Sequence, residues 1–260
     1  MTDVVQMRRG EGGIATVVVN RPDRMNALNK AVWVGLAEAF EALAADPAVR
    51  VVVLRGAGEK AFAPGADIDE FETERADAAQ AKAYDVIMRR ALDAVRTCPH
   101  PTIAMIYGPC VGGGLELACM CDLRIAGESG RFGVPINRIS VVMAYPEIAA
   151  IQRLVGSARA KEILLEGRVF DAAEALQKGL LTRVVPDEAL AEEVQATARR
   201  IAAGAPLANR WHKAFVDRLC DSAPITESEL DECYDFLSTR DYREGLAAFH
   251  AKRKPDFTGE

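Results

Sequence analysis

Gly108-Pro-Cys-Val-Gly112-Gly113-Gly114-Leu-Glu116-Leu-Ala-Cys-Met-Cys-Asp122 is the stretch on which the reading of this chain turns. Residues 102–107 ahead of it form an apolar, strand-like run, and Leu115 onward favours helix. The order is therefore strand, glycine turn and helix start, with Glu116 as the only carboxylate near that start. Unpaired N–H groups in the first turn of a helix are preorientated donors at the positive end of its dipole. They can hold an anion or an oxyanion that develops during a reaction.

Working outward on the N-terminal side, residues 14–19 (Ile-Ala-Thr-Val-Val-Val) are continuous and β-branched, as a buried strand would be. Asn20-Arg21-Pro22-Asp23 ends that run. Asn29 then caps a helix expected over 30–45, with Val32, Leu36, Ala39, Phe40 and Leu43 on one face. A second buried strand follows at 49–54. Strand, helix and strand at this spacing imply a right-handed crossover and a parallel pair. The turn-rich segment 60–70 leaves the end of that strand, where α/β folds place ligands. A long helix over 76–96 is stopped by Pro99 and Pro101, and the third strand then enters the glycine turn.

On the C-terminal side, residues 122–126 read as a fourth strand and 131–135 as a loop. From Pro146 onward helices dominate: 147–154, 158–166, 172–178, 188–203, 207–219, 227–237 and 242–251, with one strand at 181–185. Gly204-Ala-Pro206 reads as a hinge, which divides the chain into a core, 1–203, and a C-terminal helical region, 204–260. The plain fold class is α/β with a parallel sheet.

Composition excludes several classes. At 260 residues and 50% apolar content the chain can bury a large core, and no apolar run approaches the roughly 20 residues that span a bilayer. The first ten residues carry no signal-peptide core, so a cytoplasmic protein with no membrane partner is expected. Six cysteines without disulfide or zinc spacing read as reduced thiols. A net charge of −6 argues against nucleic acid as a partner. The three histidines have no ligand spacing, so no metal is expected. No Gly-x-Ser-x-Gly elbow, phosphate loop or dinucleotide fingerprint is present. Backbone donors combined with carboxylate acid/base chemistry suit an enolate-forming reaction.

Seven blocks then match one family in order along the chain: Arg21-Pro22 with Asn26-Ala27-Leu28; Phe62-Ala63-Pro64-Gly65-Ala66-Asp67-Ile68; Gly112-Gly113-Gly114-Leu-Glu116 with Cys121-Asp122; Phe132-Gly133-x-Pro135; Arg153-Leu-Val-Gly156; Arg243-Glu-Gly245; and Phe249-x-x-Lys252-Arg253-Lys254-Pro255-x-Phe257. They resemble the enoyl-CoA hydratase/isomerase (crotonase) family. That resemblance implies a spiral of repeated β-β-α units and a C-terminal helical trimerisation region, assembled as a homotrimer or a dimer of trimers. It also implies an acyl-CoA thioester as substrate, with coenzyme A as part of that substrate and no separate cofactor. The expected reaction is that of an enoyl-CoA hydratase-type lyase. The alternatives are an isomerase or another single-glutamate activity of the family (hydratase-lyase, decarboxylase, thioester hydrolase), or a silent acyl-CoA-binding homologue.

Carried over residue by residue, the resemblance makes the N–H groups of Ala66 and Gly113 the donors to the thioester oxygen and Glu116 a catalytic acid or base. Arg24, Ala27, Phe62, Ala63, Asp67, Ile68, Gly112, Pro135, Ile136, Phe249 and Lys252 are the further residues expected along the CoA ester. The chain departs from the family at one telling position, because relatives carry a second glutamate directly after Phe-Gly-x-Pro and here Ile136 stands there. Isoleucine moves no proton, so Glu147 and Tyr145 are the candidates for the missing group, with Asp69 behind them.

Overall fold

A computed structural model describes residues 4–260. The β-branched runs form strands whose two faces are covered by different helices. Strand β1 (Val5–Arg9) pairs antiparallel with β2 (Ile14–Val19), and Asn29 caps α1 (Lys30–Ala44) by accepting from the Val32 N–H at 3.0 Å. Next come β3 (Val51–Gly56), the single turn α2 (Phe71–Glu74) and the long α3 (Ala78–Arg96), whose N-cap Asp77 accepts from the N–H groups of Ala79 and Gln80. Strand β4 (Thr102–Ile106) leads through β5 (Pro109–Val111) into α4 (Gly113–Cys119), followed by β6 (Leu123–Gly127) and β7 (Arg131–Gly133). The remainder is α5 (Tyr145–Glu166), β8 (Phe170–Asp171), α6 (Ala172–Lys178), β9 (Arg183–Val185), α7 (Asp187–Ala202), α8 (Pro206–Arg218), α9 (Glu227–Glu232) and α10 (Arg240–His250).

The six-stranded sheet runs β1-β2-β3-β4-β6-β9, parallel throughout except for β1. Side chains alternate across it with the period of two that a pleat imposes. Val51, Val53, Ile103, Met105 and Ile125 face α7, where they meet Leu190, Val194 and Ala198. Val52, Leu54, Ala104, Ile106 and Ala126 face the opposite way, into the larger core with Trp33, Leu36 and Phe40 of α1 and Leu92 and Val95 of α3. A strand buried on both faces needs an unbroken apolar run.

Three short strands were not expected. β5, β7 and β8 form a second sheet in that order, with β5 parallel to β7 and β8 antiparallel to it, so the expected loop at 131–135 is instead largely a strand. At two or three residues each, these strands are too short to show a period. β1 was missed for another reason: its outer residues Arg8 and Arg9 are exposed at the sheet edge. The two helices expected at 147–154 and 158–166 follow one another within α5, with Gly156 at φ 75° and ψ 166° as the break between them. The helix expected over 227–237 stops at Glu232, and a 3-10 turn, Asp235–Ser238, takes over.

α8 is fastened to the foot of the sheet. The Lys213 ammonium donates to the Asp122 carboxylate at 2.9 Å, and Asp122 also accepts from the N–H and hydroxyl of Thr102, at 2.7 and 3.0 Å. Arg50 donates to the carbonyls of Ala202 and Phe257, which pins the C-terminal tail beside the end of α7. All six cysteines are free thiols; Cys98, Cys110, Cys119 and Cys121 are buried, and Cys220 and Cys233 are exposed. No helix among the described residues is long and apolar enough to cross a membrane.

Candidate active site

The glycine stretch and the segment after β3 lie side by side. Phe62 N–H donates to the Tyr107 carbonyl at 2.7 Å, Ala63 N–H to Pro109 at 3.0 Å, and Val111 N–H back to Ala63 at 3.1 Å. The same segment pairs on its other edge with Leu28, whose N–H donates to Gly65 and whose carbonyl accepts from Asp67, both at 2.9 Å. In a parallel bridge of this kind the central residue's own N–H points away from the partner strand. Ala66 N–H is thus turned towards the start of α4.

Each of the three glycines there has a distinct function. Gly112 adopts φ 53° and ψ −123° as N-cap, a backbone conformation that favours glycine. Gly114 allows close approach, because a Cβ on it would lie 2.1 Å from the Ala63 carbonyl oxygen. Gly113 lies at the cavity wall, beside Leu28, Trp33 and Ala66. A Cβ there would make only ordinary contacts, one of them at 3.7 Å from the Ala66 nitrogen. As the first residue of α4, Gly113 has an N–H with no intrahelical acceptor. Two backbone donors, from Ala66 and Gly113, therefore sit next to each other at a helix start.

Glu116 follows one turn later, its N–H bonded to the Gly112 carbonyl at 3.0 Å. Its side chain lines a cavity of about 380 Å³ together with Gly65, Ala66, Gly112, Gly113 and Glu147. Burial pushes its carboxyl up to about 7, and the charge of Glu147 adds to the shift; Arg75 opposes it, and Asp85 adds a smaller increment. Glu147, the third residue of α5, is 1% exposed, and neither of its carboxylate oxygens has a hydrogen-bond partner among the described residues. Pro135 and Ile136 line the same cavity, as does Ile68 at its exposed rim. Trp33, Phe71, Met88 and Met143 make much of the remaining wall apolar.

Of the residues expected at the site, eight therefore meet around one cavity: Ala66, Ile68, Gly112, Gly113, Glu116, Pro135, Ile136 and Glu147. Others stand elsewhere, each for a physical reason. Phe62 and Ala63 are core residues, 2% and 0% exposed, held there by the pairing of their segment with residues 107–111. Asp67 is engaged by Arg21 at 2.8 Å and caps the following 3-10 turn. Ala27 gives its carbonyl to Arg21, and Arg24 pairs at the surface with Asp69, at 3.1 Å, which also removes Asp69 from contention. Tyr145 is 90% exposed: at the first position of α5 its ring is directed outward, whereas Glu147 two residues later is directed inward. Phe249, 79% exposed, and Lys252 lie at the end of α10 and do not line the cavity.

The sequence reading also missed residues at the site. Arg75 lies over the rings of Phe71 and Tyr84, each at 5.0 Å, and reaches Asp85 at 3.7 Å, so that charged groups stand in the cavity wall. Tyr84 donates to Glu70 at 3.0 Å, and Glu70 accepts from the Lys30 N–H at 2.8 Å, which ties the segment around α2 to both α1 and α3. Tyr84 and Met88 recur at helical spacing within α3, a pattern that marks a packed face and not a site. Nothing in the local pattern marks Arg75.

Comparison with known proteins gives this arrangement its relatives. The sequence profile described as enoyl-CoA hydratase/isomerase matches residues 9–260. The chain belongs to that family. Over 249 residues it is 34% identical to the crotonyl-CoA hydratase of Syntrophomonas wolfei, covering 95% of each chain. The crystal structure of an enoyl-CoA hydratase/carnithine racemase from Magnetospirillum magneticum superposes with a TM-score of 0.98 at 68% identity, covering 100% of this chain and 97% of that one. Enoyl-CoA hydratase from Bacillus anthracis superposes at 0.92 with 32% identity, covering 99% and 100%. The family's crotonase fold accounts for what the plain parallel reading omitted: the second sheet, whose strand β5 is also bridged, through Cys110 and Ala63, to the segment carrying Ala66.

Proposed function

We propose that the protein acts on acyl-CoA thioesters by stabilising a thioester enolate, and that it is an enoyl-CoA hydratase-type lyase in which Glu116 moves a proton. The observation that carries this reading is Glu116 itself, buried and raised to about 7 one turn from the paired N–H groups of Ala66 and Gly113. A thioester oxygen seated on those two donors would gain stabilisation as it becomes negative, and loss of one such donor costs roughly 3 kcal/mol of barrier. Gly113 must stay small, since a side chain there would crowd the space beside the Ala66 nitrogen. A carboxyl near 7 suits an acid/base working at neutral pH, because it can both hold and release its proton there.

Coenzyme A enters as part of the substrate, with no additional cofactor. The apolar wall of Trp33, Phe71, Met88 and Met143 suits a hydrocarbon acyl chain. The same constellation supports isomerisation as a second reading. The observation in its favour is Ile136, which lines the cavity where the resemblance places a second glutamate, because moving a double bond needs only one carboxylate.

The test is turnover of an enoyl-CoA series beginning with crotonyl-CoA, followed by loss of the conjugated thioester absorbance. Glu116→Gln is expected to lower kcat about a hundredfold or more, with CoA-ester binding retained. A wild-type protein that binds these esters and converts none of them would overturn the reading.

A further inference from the structure

We infer that Glu147, brought into the cavity by the start of α5, is the second catalytic carboxyl of the site and completes with Glu116 the pair that hydration requires. The inference rests on the enoyl-CoA reading above. Its footing is geometric. Glu147 stands third in α5, a position where an acid ordinarily faces water or accepts hydrogen bonds from first-turn N–H groups. Glu147 does neither, being 1% exposed with both oxygens unpartnered among the described residues. A buried carboxylate with no partner works against folding, and it makes sense where a ligand supplies the partner. Both carboxyls line one cavity, one from α4 and one from α5, and the two donors at Ala66 and Gly113 open into the same space. Tyr145 is turned outward, Ile136 presents only hydrocarbon, and Asp85, the other carboxylate in the wall, is paired with Arg75 at 3.7 Å and Arg89 at 3.5 Å, so Glu147 is the carboxylate available to partner Glu116.

The positions suggest the division of labour. Glu116 is one turn from Gly113 and is thus tied to the carbonyl end of the acyl group, beside the α-carbon. Glu147, on the separate helix, takes the proton of a water molecule whose oxygen bonds to the β-carbon. The π pair of the 2,3-double bond shifts towards the carbonyl, leaving the negative charge on the thioester oxygen, where the two N–H groups hold it. The enolate then collapses by taking the proton of Glu116 onto the α-carbon. One water is consumed, one C–O and one C–H bond form, and one π bond is lost. The pair ends with the same single proton, now on Glu147, and its return to Glu116 readies the site again.

Two reactions of the intact protein separate this role from a structural one: hydration of crotonyl-CoA, and exchange of the α-hydrogens of butanoyl-CoA with D₂O, which needs only the enolate and the α-carbon base. Glu147→Gln is expected to lose hydration by about a hundredfold or more, chiefly in kcat, and to keep α-exchange. Glu116→Gln is expected to lose both. Glu147→Asp should restore part of the hydration. Thermal unfolding of Glu147→Gln should occur near the wild-type temperature, since neither carboxylate oxygen has a hydrogen bond among the described residues to lose. Hydration by Glu147→Gln within threefold of wild type overturns the inference and leaves the enoyl-CoA reading standing. Loss of both reactions in that variant also overturns it, by making Glu147 a support of the cavity. If wild-type protein neither hydrates nor exchanges, the enoyl-CoA reading falls and the carboxyl pair with it.

Discussion

Glu116 holds its proton to a higher pH in the folded chain than in the unfolded one, about 7 against an ordinary 4.5, and this difference links stability to pH. Between those values the folded state keeps a proton that the unfolded state has released, so the contribution is fully present below about 4.5, falls as pH rises and is gone above about 7. A shift of that size corresponds to about 3 kcal/mol at most. Glu116→Gln, which keeps the shape and removes the titration, should therefore unfold at a distinctly higher temperature than wild type at pH 8 and at nearly the same temperature at pH 4. Thermal melts of both proteins at the two pH values check this. Equal differences at both would show that burial of the ionised carboxyl is not what raises it. A residue that weakens the fold at the pH where it works is one retained for chemistry.

At the scale of elements, the site exists because α4 starts against the segment 61–66, and Gly114 sets that distance. Gly114→Ala would put a Cβ 2.1 Å from a main-chain oxygen that is itself bonded to Val111 N–H, so no side chain can relieve the clash. Such overpacking destabilises by on the order of 3 kcal/mol, a fall of roughly 10 °C in Tm for a chain of this length. It should also lower kcat/KM by displacing Gly113 from Ala66. Gly113→Ala makes only ordinary contacts and should lower activity with little change in Tm. Comparing the melts and rates of the two variants separates the two glycines. The sequence announced all three glycines as one turn; their separate functions depend on the Ala63 carbonyl, far away along the chain. The same limit explains other gaps. Strands buried on both faces, such as β3 and β4, were legible because an apolar run is a local signal, whereas β5, β7 and β8 exist only through pairing with one another. Glu116 was legible beside its glycines. Glu147 was not distinguished from Tyr145, since which of the two faces inward depends on how α5 packs.

At the scale of the whole molecule, the C-terminal helices leave much apolar surface exposed. Val216 and Leu219 at the end of α8 are 65% and 69% exposed, and Phe249 on α10 is 79% exposed. Tyr234, Leu237 and Leu246 add to this surface. Scattered apolar residues are ordinary, but a run of them over neighbouring helices is a surface suited to contact with another. Phe249 and Lys252, which the resemblance associates with the CoA ester, lie in this same region and not at the cavity of their own chain. Both facts have one explanation if copies of the chain pack through α8 to α10, as a homotrimer or a dimer of trimers, with the end of α10 carried towards a neighbour. Light scattering coupled to size exclusion should then give a mass three or six times that of one chain. Replacing Leu219 and Phe249 by serine should lower that mass, while each chain keeps its fold, because neither side chain contributes to the buried core. If activity in the dissociated protein falls mainly through a raised KM, the neighbour contributes to CoA-ester binding; unchanged kinetics would confine the site to one chain. A mass equal to one chain in the wild type would sink the assembly and require another cover for the exposed face.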